Sequence, residues 1–183
     1  MYWYKKTIYR AAITGCIALI MLLQACKPDI KETGSAVKYF DLKGYFYADS
    51  ARLTRLNKPV FKTVIHNGVA ESKKVHIANW GNEFSLFIGS DINKPAWKDS
   101  YWVQQTGNML IYKAKYPELQ TTRIIINKAD NKVKWILIFN HTKNILYETK
   151  EKLSYFPDSM YRIEKLQHVR LMGSNRYDVK GLF

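Results

Sequence analysis

The chain has few side chains that can bind a metal or act as a nucleophile, and their spacing keeps them apart. Its four histidines are His66, His76, His141 and His168. The first two would lie at opposite ends of a hairpin centred on Asn67-Gly68, too far apart to share an ion. No H-E-x-x-H zinc motif is present. We therefore expect no metal site and no cofactor.

Carboxylates are the remaining candidates for catalysis. Glu83, Asp91 and Asp99 lie near one another in the sequence, around a predicted short helix. A hydrolase acting on a glycan or a lipid needs at least two such groups in one cleft, with their pKa values pushed apart. Their spacing does not show that they meet, and the chain lacks the G-x-S-x-G, P-loop and dinucleotide-binding motifs. A hydrolase is therefore the alternative, and a non-enzymatic protein is the first hypothesis.

The segment DINKPAW, which begins at Asp91, predicts a turn and not a calcium loop. Asp91 and Asn93 match the first ligand positions of such a loop, but Pro95 and Trp102 replace a later oxygen ligand and the final acid. We expect Asp91 and Asn93 to bond the local backbone and Pro95 to stop a helix. Trp97 would pin this loop to the core, and it is also a candidate ligand contact.

Aromatic residues are abundant and can either fill a core or line a binding cavity. Residues 27–183 contain four Trp, ten Tyr and eight Phe. An apolar cavity of about 300 Å³ or more would favour ligand binding, and a filled interior would favour a scaffold. The candidate lining residues are Trp102, Tyr112, Ile125 and Trp135.

The N-terminus has the pattern of an export signal. Lys5, Lys6 and Arg10 precede an apolar run over residues 11–23, which is shorter than a membrane-spanning helix requires. Leu23-Gln24-Ala25-Cys26 then resembles the lipobox of bacterial lipoproteins. This resemblance implies cleavage before Cys26, acylation of that cysteine and a lipid anchor in the bacterial envelope, with the outer membrane as the expected location.

Charge and composition indicate which partners suit the mature protein and how residues 27–183 are organised. Residues 1–26 carry three cations and no acid, so their removal lowers the net charge from +14 to +11. An extracytoplasmic address makes nucleic acid an unsuitable partner, and an anionic or apolar ligand or an envelope partner fits better. Residues 27–38 are polar and predict a tether, while residues 39–183 have the length of a single domain.

Local signals predict two helices and one hairpin in the first half of this domain. Asp41 is expected to cap a helix that ends at Asn57 and Pro59, although Gly44 weakens the helical pattern. Asn67-Gly68 predicts a hairpin that pairs residues 60–66 with 69–77. A second helix is expected over residues 80–88, after Asn79 and before Gly89.

The second half predicts an antiparallel meander, because turn residues recur about every ten positions. Residues 123–126, an arginine followed by three isoleucines, and residues 135–139 are almost continuously apolar, which indicates strands buried on both faces. The expected fold is α+β, with a strongly bent antiparallel sheet or half-barrel of about nine strands covered by two helices. The expected strands span residues 101–106, 109–116, 119–127, 133–140, 145–155, 160–171 and 177–183.

The whole chain resembles the small envelope lipoproteins of Bacteroidetes. The resemblance is carried by the strings KYFDL from Lys38, SDINKP from Ser90 and Leu146-Tyr147. It implies a location but no specific activity. A half-barrel covered by helices also resembles the lipoprotein carriers LolA and LolB, which would imply a carrier of acyl chains as a further alternative.

Overall fold

The computed structural model describes residues 37–183, which belong to one compact unit that begins at Ala36. The predicted signal peptide, the acylation site at Cys26 and residues 27–36 of the tether lie outside the described residues. Within the described part, no helix is both long enough and apolar enough to cross a bilayer.

The fold is dominated by one open, fully antiparallel sheet of nine strands. Its spatial order is β2-β1-β9-β8-β7-β6-β5-β4-β3, so β2 and β3 are the two edge strands. The predicted antiparallel sheet of about nine strands is confirmed. The strands are β1 (Val60–His66), β2 (Val69–Val75), β3 (Tyr101–Thr106), β4 (Met109–Ala114), β5 (Thr121–Ala129), β6 (Lys132–Lys143), β7 (Tyr147–Phe156), β8 (Met160–Val169) and β9 (Gly173–Leu182).

Tight turns set the register of the hairpins. Asn67 and Gly68 adopt φ values of 49° and 89°, and β1 pairs with β2 from Val60↔Val75 to His66↔Val69, as predicted. The later strands differ at their ends from the expected ranges. β9, for example, begins at Gly173 and not at residue 177, because its pairing with β8 continues through polar residues that have no apolar periodicity.

The first helix, α1 (Leu42–Leu56), forms as its end signals predict. The Asp41 carboxylate accepts a hydrogen bond of 2.8 Å from the backbone N–H of Gly44, and Asn57 ends the helix with a left-handed φ of 44°. A Cβ at Gly44 would collide with the Asp41 carboxylate. A side chain at this position would therefore displace the capping carboxylate.

The second predicted helix is present but broken in two. It consists of α2 (Trp80–Glu83) and α3 (Ser85–Gly89), with Phe84 between them at φ −94° and ψ 12°. The Asn79 side chain caps α2 by accepting from the backbone N–H of Asn82 at 3.0 Å. Gly89 is the last residue of α3 and does not stop it through a left-handed turn. A short 3-10 helix, Pro95–Trp97, follows.

The helices cover part of one face of the sheet, and the core lies between them. Phe46 of α1 packs against Phe84, Phe87 and Tyr155, with ring centroids 4.8–5.3 Å apart. Alternate residues of β5 and β6 complete this core: Ile124, Ile126, Ile136 and Ile138 are almost fully buried. The residues between them point to the opposite face, which explains why both strands have continuous apolar sequences.

Candidate functional site

The face of the sheet opposite the helices, here called the open face, carries the candidate site. Strand alternation places Ile111, Ile125, Leu137 and Phe139 on its β4–β6 half, and they are all half-buried. Its β7–β9 half is charged, with lysines, arginines and acids in neighbouring positions. The open face is therefore apolar at one side and ionic at the other.

A groove of about 620 Å³ lies where these two halves meet. Its apolar contacts are Phe139 and Leu166, and its charged contacts carry an excess of cations over acids. Most side chains that reach it come from two adjacent rows that cross the strands. The lining residues are Thr122, Phe139, Asn140, His141, Lys150, Glu151, Lys152, Glu164, Lys165, Leu166 and Arg176.

The first row contains Arg123, Phe139, Lys152, Glu164 and Asp178, each the direct partner of the next across the sheet. The Arg123 guanidinium lies 4.4 Å from the centre of the Phe139 ring. Lys152 and Glu164 form an ion pair at 3.5 Å. The row is thus an aromatic ring with a cation on either side.

The second row contains His141, Lys150, Leu166 and Arg176. Within residues 37–183 no salt bridge within 4 Å involves the Arg176 guanidinium, although its charge adds to that of Arg162 in keeping the pKa of Asp178 low. The other two basic residues of the row, His141 and Lys150, contact Glu148, with Lys150 at 3.1 Å. Hydrogen bonds from His141 and then Lys150 hold the pKa of Glu148 below its usual range. Arg176 therefore remains able to pair with a bound anion.

A bidentate ion pair between half-buried Arg162 and buried Asp178 supports the floor of the open face. The Arg162 guanidinium donates two hydrogen bonds to the Asp178 carboxylate, at 2.9 and 2.5 Å. This bidentate pairing holds the pKa of Asp178 below its usual range. Asp178 is 9% exposed although no helix covers it.

Behind the groove, a polar network connects the sheet to the end of α3. Asn140 donates to the Ser90 hydroxyl at 2.8 Å and to the Glu151 carboxylate at 3.3 Å. Lys165 lies 3.4 Å from the other oxygen of Glu151. Ser90, Asn140 and Glu151 are all buried, so this network fixes the spacing of β6, β7 and β8 at the groove.

The three predicted carboxylates have separate sets of partners. Glu83 lies 2.7 Å from the Lys62 ammonium and accepts a 2.5 Å hydrogen bond from the Tyr161 hydroxyl. Asp91 accepts from Asn93, and its burial raises its pKa. Asp99 is exposed and pairs with Lys38. Each carboxylate thus has a local structural partner, and the groove lies elsewhere.

The five predicted ligand-binding residues are divided between the two faces. Trp97 is half-buried, with the Lys94 ammonium 3.9 Å from its ring centre. Tyr112 is 4% exposed on the helix side, where its hydroxyl accepts from the backbone N–H of Phe40 at 2.9 Å. Trp102, Ile125 and Trp135 belong to the open face, with Trp102 exposed and the other two half-buried. None of the five lines the groove.

The groove residues that were missed had weak sequence signals. Phe139 ends a predicted buried strand and could have been suspected from its position beside polar Asn140. Leu166 and Arg176 become neighbours only through the pairing of β8 with β9. Their positions in the sequence alone do not predict that contact.

The loop and three histidines, His66, His141 and His168, have structural partners. Asn93 binds the backbone of Tyr39 and Phe40, each at 3.0 Å, and so holds a distant segment as well as its neighbour Asp91. Asn93 was expected to bond the local backbone, and its side chain instead bonds the backbone of two residues that lie 53 and 54 positions earlier in the chain. His66 stacks on Tyr177 with ring centres 4.3 Å apart. Residues 37–183 contain no cluster of three His, Cys, Asp or Glu side chains placed to hold a metal ion.

No family model matches the chain, and no similar protein is found among curated proteins or among solved structures.

Proposed function

We propose that this protein is a lipoprotein of the bacterial envelope, acylated at Cys26, whose folded part binds an amphiphile with an anionic head and does not catalyse a reaction. The observation that supports this most is the groove, where an apolar floor at Phe139 and Leu166 adjoins Lys150, Lys152 and Arg176. An alkyl chain would contact the apolar side, and a carboxylate or phosphate would pair with Arg176.

The filled core favours the open face over the helix side as the binding surface. A carrier that held an acyl chain between the helices and the sheet would need space there. That region is occupied by Phe46, Phe84, Phe87, Tyr155 and other buried side chains. Any carrier function would therefore use the groove.

The expected bend of the sheet into a half-barrel is part of this proposal. Ser154 and Asp178 are 6% and 9% exposed on the face that has no helix above it. Side chains on a flat, uncovered sheet would be more accessible. Their burial supports an open face that curls around its own centre.

The ligand test uses a fluorescent long-chain carboxylate, parinaric acid, titrated into the purified protein. The double variant L166A/R176A removes an apolar and a cationic contact from directly opposed positions in the groove. We expect it to weaken binding at least about tenfold, which corresponds to the loss of one charged contact and one apolar contact. Lipids extracted from the protein and identified by mass spectrometry would name the natural ligand.

A matched control variant is R170A/L171A. It removes the same two residue types from the exposed β8–β9 turn, outside the groove lining. This control should bind parinaric acid as the unaltered protein does. Equal affinity in both double variants would contradict binding in the groove.

The anchor is tested separately in cells. Radiolabelled palmitate should be incorporated into the unaltered chain and into the C16S variant, but not into C26S. The protein should fractionate with the envelope. Label in C26S, or an unlabelled protein in the cytosol, would contradict the proposed address.

A further inference from the structure

One surface of the folded part combines exposed aromatic and basic side chains at the point where the described chain begins. This basic-aromatic surface consists of Lys38, Lys98 and Lys115 around Asp99, together with Trp102 and Lys113 of the adjoining β3–β4 edge. Lys38 pairs with Asp99, and its hydrogen bond is the main cause that keeps the pKa of Asp99 below its usual range. The charges of Lys98 and Lys115 add to this effect. Three lysines thus act on one aspartate.

Trp102 is the aromatic centre of the surface. Its side chain is 64% exposed, an unusual exposure for the largest apolar residue type. The Lys115 ammonium lies 4.6 Å from its ring centre, and Lys113 is its direct partner across β3 and β4. Exposed tryptophan next to lysine is typical of the zone where proteins meet lipid headgroups, since the indole has an apolar body and a polar edge.

The covalent path from the anchor limits which surface can meet the membrane. Eleven residues, 27–37, separate Cys26 from Lys38, and they span at most about 40 Å when fully extended. The basic-aromatic surface includes Lys38 itself, so an acyl chain on Cys26 would hold this surface within about 40 Å of the bilayer. This step rests on the acylation proposed above.

The opposite edge of the sheet provides a comparison. The edge strand β2 also carries two lysines, Lys73 and Lys74. It is eight strand spacings from β3, which is about 40 Å along the sheet. Similar charge therefore occurs at both edges, but only the β3 edge adjoins the start of the described chain and carries an exposed tryptophan.

We propose that the basic-aromatic surface docks onto an anionic phospholipid bilayer, with Trp102 at the headgroup level and the lysines against the lipid phosphates. Trp102 and Lys113 belong to the open face, because they pair with each other and continue the row of Arg123 and Phe139 across the sheet. Docking through this edge leaves Phe139 of the groove three strand spacings, or about 15 Å, from Trp102, on a face along which an amphiphile could reach it from the bilayer.

The experiment uses the mature acylated protein, purified in detergent and reconstituted on two kinds of vesicle. One kind contains phosphatidylcholine alone, and the other also contains phosphatidylglycerol. Lysines are labelled briefly with an amine-reactive reagent and read by peptide mass spectrometry. We expect several-fold less labelling of Lys98, Lys113 and Lys115 on the anionic vesicles, and no difference at Lys73 and Lys74.

A pair of charge variants provides the control. K113E/K115E should abolish the difference between the two vesicles at Lys98, while K73E/K74E, with the same change of charge at the other edge, should retain it. The acyl anchor and the groove are altered in neither variant. Loss of protection in both variants would indicate a general effect of charge and would overturn the proposal.

The remaining outcomes separate this inference from the proposed function. A protein that stays on phosphatidylcholine vesicles but shows no lipid-dependent protection overturns the docking surface and leaves the anchor intact. A protein that is released from phosphatidylcholine vesicles, but whose lysines are protected on vesicles with phosphatidylglycerol, supports the docking surface and overturns the anchor. A protein that is released from both kinds of vesicle overturns both proposals. Protection of the three lysines regardless of lipid charge would indicate contact with a second copy and would overturn bilayer docking.

Discussion

The ring of Tyr161 occupies the space that a side chain at Gly181 would fill. The two residues are direct partners across β8 and β9, and a Cβ built on Gly181 would overlap the Tyr161 ring. Tyr161 is fully buried, and burial raises the pKa of its hydroxyl, which donates to Glu83 of α2. Glycine in β9 therefore allows the sheet to hold the tyrosine that binds the helix.

Replacing Gly181 with alanine should destabilise the protein. The added methyl group must displace Tyr161, and overpacking of this kind costs about 1–3 kcal/mol. Urea unfolding measures the change in the free energy of unfolding. The control is G89A at the end of α3, where a Cβ meets no atom within 4 Å, and it should leave stability unchanged or raise it slightly. Equal effects of the two substitutions would contradict the contact.

Tyr155, which is also fully buried, should stabilise the protein through its hydroxyl. It donates to the Asp49 carboxylate, which also pairs with Arg52 at 2.5 Å. The Y155F variant would leave an oxygen of a buried carboxylate without its donor, at a cost of about 1–3 kcal/mol. Thermal unfolding of Y155F and of the control Y116F, at an exposed tyrosine, tests this. A loss no larger than that of Y116F would show that this hydrogen bond is not stabilising.

The cap of α1 leads us to expect that alanine at Gly44 lowers stability, the reverse of its usual effect in a helix. Alanine normally stabilises a helix relative to glycine, but at Gly44 it should lower the free energy of unfolding by about 1 kcal/mol, because its Cβ collides with the capping carboxylate of Asp41. In the D41A background the collision is absent, so G44A should then be neutral or stabilising. A double-mutant cycle measures this coupling, and additive effects would contradict it.

The Arg162–Asp178 pair predicts a specific dependence of stability on pH. Because the pKa of Asp178 in the folded state lies below its ordinary value of 3.8, its contribution is complete above that value and is lost as the pH falls through the folded-state pKa. D178N should therefore cost about 1–2 kcal/mol at pH 7, and its difference from the unaltered protein should shrink below about pH 4. Urea unfolding at several pH values tests this, with D130N in an exposed turn as the control. A difference that is constant with pH would contradict it.

Local signals were sufficient where a few adjacent residues decide the structure. α1 begins after Asp41 and ends at Asn57 as predicted, because a cap depends on the backbone amides and carbonyls of one helical turn. Asn67-Gly68 predicted every pair of the β1–β2 hairpin, because a two-residue turn leaves one register. The spacing of turn residues likewise predicted an antiparallel sheet.

Contacts between distant segments were not predictable in this way. β9 pairs with β1 more than a hundred residues earlier in the chain, and nothing in either strand specifies that choice. The expected set of ligand residues failed to form one site because Tyr112 points to the helix side while Trp102 points to the open face. Alternation within a strand shows which residues share a face but not which face the helices cover.

The sequence by itself determined the caps, the turns, the antiparallel pairing of neighbours and the expectation of acylation at Cys26, since each depends on residues close together in the chain. Only the tertiary structure decided where the helices pack, that β9 enters between β1 and β8, and that Leu166 and Arg176 meet beside Phe139 in one groove. The physical reason is that burial and long-range strand pairing are properties of the whole packed sheet, in which each choice depends on all the others.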